Sequence, residues 1–203
     1  MWVTQDFTPS SPFPERALRD LIACRNVCLK LGFIGYDPNR YKGTPFGNLS
    51  KRSPNSSDGC IITGTGTSQI PEINEEHFTL AFNYDPKTHS VQVRGPLKTS
   101  VETPSHLALY SLDQRIGGIV HSHCPEIWGK TKEMFIPTIE ETVDYGSPEM
   151  FLAIQGKYRL TRTSDMKILS MGPGHQDGIL AWGSTIEDAV QRTIMYYLRA
   201  KSL

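Results

Sequence analysis

The chain has 203 residues, 38% apolar and 21% charged, the make-up of an ordinary globular domain, which excludes a disordered or fibrous polypeptide. Lys plus Arg and Asp plus Glu each number 21, so no net field gathers nucleic acid or an anionic membrane, and any anion has to be bound locally. The opening MWVTQDFTPSSPFPERAL has neither a basic n-region nor an apolar core, and no apolar run nears the roughly 20 residues of a bilayer span, so a cytoplasmic protein of one domain over 1–203 is expected.

After the Pro/Ser-rich lead, PERALRDLIACRNVCLKLGF repeats apolar residues at Leu18, Leu21, Ile22, Cys28 and Leu29, with Pro14 suited to a first turn and Gly32 to a stop. That spacing predicts an amphipathic helix. IGYDPNRYKGTPFGNLSKRS is rich in Gly, Pro and Asn and reads as an irregular loop leading into a short strand over 46–51. CIITGTGTSQ opens as a β-branched strand and dissolves into alternating Thr and Gly, and HFTLAFNY and HSVQVRG flank DPKT as a hairpin. In TPSHLALYSLDQR, Thr103 is the expected N-cap and Pro104 the first residue of a helix of about three turns.

GGIVHSH is a strand, SPEMFLAIQG a Ser-capped helix, and MKILSMGPGHQDGILAWG two strands joined around 172–178. The end carries a capping box, Ser184 with Glu187, and a stripe of Ile186, Ala189, Val190 and Ile194. Strands in the middle with helices around and between them predict an α/β sandwich without internal repeats. Cys24, Cys28, Cys60 and Cys124 lack the spacing of a disulfide framework and read as reduced thiols, with Cys24 and Cys28 packing on one helix face.

His121 and His123 stand at i and i+2 on a strand, on one face and about 6.6 Å apart, where two imidazoles can converge on one ion. Such a pair also arises at strand ends with no ion. His175, in GPGHQDG, is either a solvated turn histidine or a third ligand; with the pair it makes a set that leaves a tetrahedral ion one open position. His77 and His89 sit among polar hairpin neighbours and read as surface residues, and His106 as a packing or orienting residue. Glu102 precedes a helix start, which suits a functional carboxylate and ordinary charge complementation equally. GNLSKR at 47–52, TGTG at 63–66 and Ser100 could cradle an anion with small residues, hydroxyls and backbone N–H groups, although each is also common turn material.

In this order, GNLS at 47–50, TGTG at 63–66, SVETPSH at 100–106, HSH at 121–123 and GHQDGILAWGS at 174–184 resemble the signature of the class II aldolase and adducin head-domain family, the group of L-fuculose-1-phosphate aldolase and L-ribulose-5-phosphate 4-epimerase. The resemblance covers nearly the whole chain. It implies a single-domain three-layer sandwich with a central, mostly antiparallel sheet flanked by helices. By the same likeness His121, His123 and His175 hold one divalent ion, zinc first, with Mn2+, Fe2+ or Co2+ as alternatives. Glu102 is the implied acid/base, and Gly47, Asn48, Thr65, Gly66 and Ser100 line a phosphate pocket.

The implied activity is an aldolase-type cleavage of a small ketose or ketose phosphate through a metal-stabilised enediolate. Sugar-phosphate 4-epimerase or dehydratase is the enzymatic alternative, and an adducin-like interaction module the non-catalytic one. A homotetramer is implied too, with no nucleic-acid or membrane partner. One departure stands out: Val101 replaces the family's second Ser before the Glu, which removes a hydroxyl from the phosphate pocket unless Lys51 or Arg52 turns inward to compensate. With its last helix running to Leu203, the chain is expected to lack the tail that some relatives fold over the site.

Overall fold

A computed structural model describes residues 2–56, 58–140, 142–161 and 166–203. In chain order the elements are β1 (Thr4–Pro9), α1 (Arg19–Lys30), β2 (Asn48–Arg52), β3 (Cys60–Thr63), β4 (Phe78–Asp85), β5 (Ser90–Gly95), α2 (Thr103–Tyr110), β6 (Gly118–His123), α3 (Pro125–Trp128), α4 (Pro148–Thr161), β7 (Ile168–Ser170), β8 (Gly178–Gly183) and α5 (Ile186–Lys201). The strands form one sheet of eight in the order β1-β5-β4-β3-β2-β6-β8-β7. Only β1 runs parallel to its neighbour, β5; the other pairs are antiparallel.

Alternation of side chains along buried strands divides the core in two. Ile61, Val120, Ile179 and Ala181 face one cluster, with Leu21 and Cys28 of α1 and Ile186 and Ala189 of α5. Cys60, Ile62, Ile119 and Leu180 face the other, with Leu107 of α2 and Ile154 of α4. Helices α1, α3 and α5 therefore cover one face and α2 and α4 the other, the expected three layers. Fully burying each such Ile or Leu contributes about 1.5–3 kcal/mol, and β6, apolar on both faces up to its histidines, sits where the two clusters meet.

Several details differ from expectation. The lead, to which the sequence assigned no element, contributes a strand: Thr4–Pro9 pairs with β5, and its polar sequence is that of an edge strand, where unpaired backbone and a terminal Pro are tolerated. Strand β2 starts at Asn48, because Phe46 exchanges backbone hydrogen bonds with Gly35 and Gly47 turns the chain at φ 74. A Cβ on Gly47 would stand 2.5 Å from Ile34 Cγ2, so only Gly fits between the loop and the core.

Helix α2 has eight residues rather than about three turns, and its N-cap is Glu102, not Thr103. The cap of α5 is Thr185, whose hydroxyl accepts from Asp188 N, one residue beyond the expected Ser184/Glu187 box. Ser184 instead donates to the Asp188 carboxylate. The helix led by Ser147 is as expected, its hydroxyl accepting from Met150 N at 3.1 Å. The short α3 carried no periodicity to announce it.

All four cysteines are free and buried, and burial pushes their thiols up to about 11 for Cys24 and about 12 for Cys28, Cys60 and Cys124, as inert packing residues require. Among the described residues no helix is long and apolar enough to cross a membrane.

Candidate metal centre and substrate pocket

Three segments meet at one end of β6. His121 and His123 project from the strand's last turns of pleat. His175 comes from the connection between β7 and β8, closed by His175 N donating to Gly172 O at 3.2 Å and Gly178 N donating to His175 O at 3.0 Å. A Cβ on Gly178 would lie 2.2 Å from His175 Cδ2, so the absence of a side chain there is what admits the ring. Glu102 arrives at the start of α2, fixed by its N–H donating to Ser100 Oγ at 3.2 Å.

The three imidazoles are 0%, 6% and 7% exposed in chain order, and each offers a ligand nitrogen within 4.8 Å of the others. His121 Nε2 and His175 Nε2 are 3.0 Å apart, close to the ~3.3 Å expected of two nitrogens sharing one tetrahedral ion. His121 Nδ1 lies 3.3 Å from Ile179 O, which places the ring proton on Nδ1 and leaves the Nε2 lone pair facing the centre. Burial lowers the pKa of His121 to about 4 and holds His123 and His175 well below the ordinary 6.5, so all three rings are neutral, the form that binds metal.

With the His121 proton on Nδ1, its Nε2 can take either a proton shared from His175 Nε2 or a cation held between the two rings. The donor set therefore fits a divalent ion, and tri-imidazole coordination suits zinc and its transition-metal neighbours.

Glu102 Oε2 is 3.9 Å from both His121 Nε2 and His175 Nε2. Neither carboxylate oxygen has a hydrogen-bond partner among the described residues. Burial pushes its pKa up to about 8, with the nearby Ser105 hydroxyl offsetting a little of the effect. These shifts contribute to the pH response of the metal-free protein. Buried imidazoles bind fewer protons than unfolded ones between about pH 4 and 6.5, so stability rises with pH there; Glu102 binds more protons than its unfolded form from about pH 4.5 to 8, so its contribution falls with pH. Three histidines outweigh one carboxyl at acid pH. In metal-free protein Glu102→Gln is expected to remove a decline that runs from about pH 4.5 to 8, so that the variant's melting temperature gains on wild type steadily across that window; calorimetry across pH 4–9 reads it.

The five expected anion-binding residues come together. Gly47, Asn48, Thr65, Gly66 and Ser100 line one cavity of about 250 Å³, with Ser68, Val101, Trp2 and Tyr145. A second cavity of about 290 Å³ lies over His123 and His175 and shares Thr44, Pro45, Val101 and Tyr145 with the first, so metal centre and pocket are contiguous.

Two of the backbone donors the sequence offered are already engaged, Gly64 N donating to His77 O at 2.8 Å and Thr65 N to Lys98 O at 2.9 Å. Lys51 and Arg52 do not compensate for Val101. Lys51 Nζ pairs with Asp20 at 2.6 Å, and Arg52 donates to the carbonyls of Ile116, Tyr110 and Asp113. Both point away from the cavity because they help fasten the sheet to its helices.

The remaining histidines divide. His106 is no ligand: its Nδ1 lies 2.7 Å from Ser50 Oγ, which in turn meets Tyr110 OH at 3.0 Å beneath the site. His77 is partly exposed in a short turn, as expected, but His89 is buried, not a surface residue. Strand β1 covers it, Thr4 N donating to His89 O, and its Nδ1 meets Tyr84 OH at 2.9 Å.

Sequence reasoning missed two rings. Tyr41 packs edge-on against His123 at 4.4 Å and donates to Asp177 Oδ2 at 2.7 Å, and Tyr145 lies 5.0 Å from His175 and borders both cavities. Tyr41 stands at φ 49 in a Gly/Pro-rich loop, a strained position that nothing in its letter reveals.

An eight-stranded, mostly antiparallel sheet between helix layers, with three histidines converging at the end of an interior strand, defines a class II aldolase type of α/β domain. The comparisons place the chain directly: a family model, Class II Aldolase and Adducin N-terminal domain, matches residues 38–201, and the chain belongs to that family. An L-ribulose-5-phosphate 4-epimerase, UlaF, of Salmonella paratyphi B is 31% identical over 123 residues, covering 51% of this chain and 53% of that protein, so the match spans about half the length of the curated relative.

Among solved structures, an L-fuculose 1-phosphate aldolase superposes with a TM-score of 0.66 at 19% identity, covering 94% of this chain and 87% of that one. A sugar-phosphate aldolase from Thermotoga maritima gives 0.68 at 16%, covering 92% and 93%. At these identities the likeness is one of fold.

Proposed function

We propose that the chain is a metal-dependent lyase of the aldolase type that cleaves a carbon–carbon bond of a small ketose or ketose phosphate. In this reading His121, His123 and His175 hold the ion, Glu102 carries the proton, and Gly47, Asn48, Thr65, Gly66 and Ser100 receive the substrate's distal end. The observation that carries it is the meeting of three neutral, buried imidazoles with one buried carboxylate 3.9 Å from two of them. A divalent ion, zinc in the first instance, supplies positive charge to adjacent substrate oxygens as they become negative. The rings add no charge of their own, so that charge acts undiminished.

Retro-aldol cleavage requires a hydroxyl to lose its proton and a carbon to regain one. Glu102 Oε2 faces the centre from the α2 side and is placed to accept and return that proton, and with no hydrogen bond holding it in either form it can change protonation state at little structural cost. Tyr41, Phe46 and Tyr145 wall the centre with aromatic rings and limit water. A homo-oligomer, a tetramer by family likeness, is the proposed assembly.

A second reading has its own support, because the curated relatives matched over half the chain are 4-epimerases. Epimerisation could use the same metal, carboxylate and pocket with a different outcome. Incubating zinc-loaded protein with a panel of small ketoses and ketose phosphates separates the two: metal-dependent aldehyde release supports the lyase, inversion at C4 seen by NMR supports the epimerase, and neither with any substrate overturns both.

A further inference from the structure

A buried guanidinium stands behind the pocket wall. Arg25, on α1, is fully buried, and donates to the backbone carbonyls of Thr67 at 2.8 Å, Ser68 at 3.3 Å and Pro71 at 3.3 Å, to that of Ile70, and to Asn26 Oδ1 at 3.3 Å. Every one of these partners is a neutral oxygen. Arginine stays protonated at any pH the fold survives, and a buried charge is costly unless an opposite charge compensates it. Carbonyl dipoles solvate this one without cancelling it.

The segment it holds, 67–71, continues directly from Gly64, Thr65 and Gly66 and includes Ser68, four of the residues that line the 250 Å³ cavity. One peptide unit at Ser68 separates the positive charge from the cavity wall. No charged side chain is among the described residues lining that cavity, and Lys51 and Arg52 are engaged elsewhere. The cavity thus sits next to a cation that pairs with no acidic side chain among the described residues and that it does not touch.

We propose that Arg25 is the positioning residue of this cavity and its source of positive potential, holding the 64–71 wall in place and making the cavity selective for an anionic substrate group, such as the phosphate of a ketose phosphate, over a neutral hydroxyl. The inference rests on reading the cavity as the seat of the substrate's distal end. It also accounts for how the pocket binds an anion when Val101 has removed a hydroxyl.

The discriminating variant is Asn26→Asp. It places a carboxylate where an oxygen already accepts from Arg25, so it neutralises the guanidinium while keeping the hydrogen bond and the packing. Wild type, Asn26→Asp, Arg25→Lys and Arg25→Gln are titrated calorimetrically, as purified, with inorganic phosphate, dihydroxyacetone phosphate and dihydroxyacetone. Expected are losses of phosphate affinity of about threefold for Asn26→Asp and about tenfold for Arg25→Gln, rescue to within about threefold by Arg25→Lys, and little change for dihydroxyacetone.

Wild-type phosphate affinity in folded Asn26→Asp, a parallel loss for dihydroxyacetone, or a wild type that binds neither phosphate overturns the proposal. Should Arg25→Gln fail to fold, Asn26→Asp decides alone. Zinc titration of the same proteins keeps the two readings apart: a chain that binds phosphate but no zinc sinks the metal-dependent reaction and leaves Arg25's role standing.

Discussion

Replacing His175 with alanine is expected to abolish zinc uptake and the proposed turnover together. Two imidazoles remain on β6, but the nitrogen 3.0 Å from His121 Nε2 is gone, and with it the closed side of the centre. Even loss of a residue that merely orients a metal ligand typically costs 10–100-fold in affinity, so loss of a ligand is expected to exceed about 100-fold. Zinc measured by elemental analysis should fall from about one per chain to a small fraction, and turnover with it.

The fold should survive the change, because the connection's closing hydrogen bonds use the His175 backbone rather than its ring. His106→Ala supplies the contrast. Its ring is tied to Ser50, so zinc should stay near one per chain while stability drops by about 1–3 kcal/mol for the buried hydrogen bond and ring packing lost, Ser50 keeping Tyr110 OH as its partner. Full zinc in His175→Ala would remove the three-imidazole centre as the seat of the ion. A wild type that takes up no zinc would favour the interaction-module reading that the family's adducin branch represents.

What the sequence made readable follows from where the physics is local. The HSH pair declares its own geometry, since i and i+2 on any strand share a face, and Gly-rich flanks around His175 betray a tight connection. The order of short motifs carried the rest of the centre, including the convergence of Gly47, Asn48, Thr65, Gly66 and Ser100 on one cavity. Non-local features were hidden. Strand β1 exists only because β5 offers an open edge, and its letters TQDFTP carry no strand pattern of their own.

His89 looked exposed because its neighbours are polar, yet β1 buries it from another part of the chain. The sequence places Lys51 at the end of a strand and Arg52 just beyond it, but which way a long cation turns is decided by Asp20 and by distant carbonyls. Arg25 drew no reading from the sequence, and only the fold shows that it faces inward. Each of these misses is a tertiary contact overriding a local pattern.

Glu102→Gln should keep the metal and lose the reaction. Glutamine has nearly the same shape, the three imidazoles are untouched, and neither Glu102 oxygen is hydrogen-bonded, so nothing in the packing or the ligand set has to move. Removing a positioned proton carrier typically costs about 10²–10⁴ in rate, and that loss is expected in kcat, with zinc still near one per chain. The pH profile should change as well. Burial pushes the Glu102 carboxyl up to about 8 in the metal-free protein, whereas a cation at the three rings favours the carboxylate and draws the value down. The wild-type rate should therefore rise with pH on a limb below 8 that is absent from the variant. Zinc lost from Glu102→Gln would make the residue a ligand rather than a proton carrier, and undiminished turnover would leave the proton transfer to another group, such as Tyr145, which borders both cavities and lies 5.0 Å from His175.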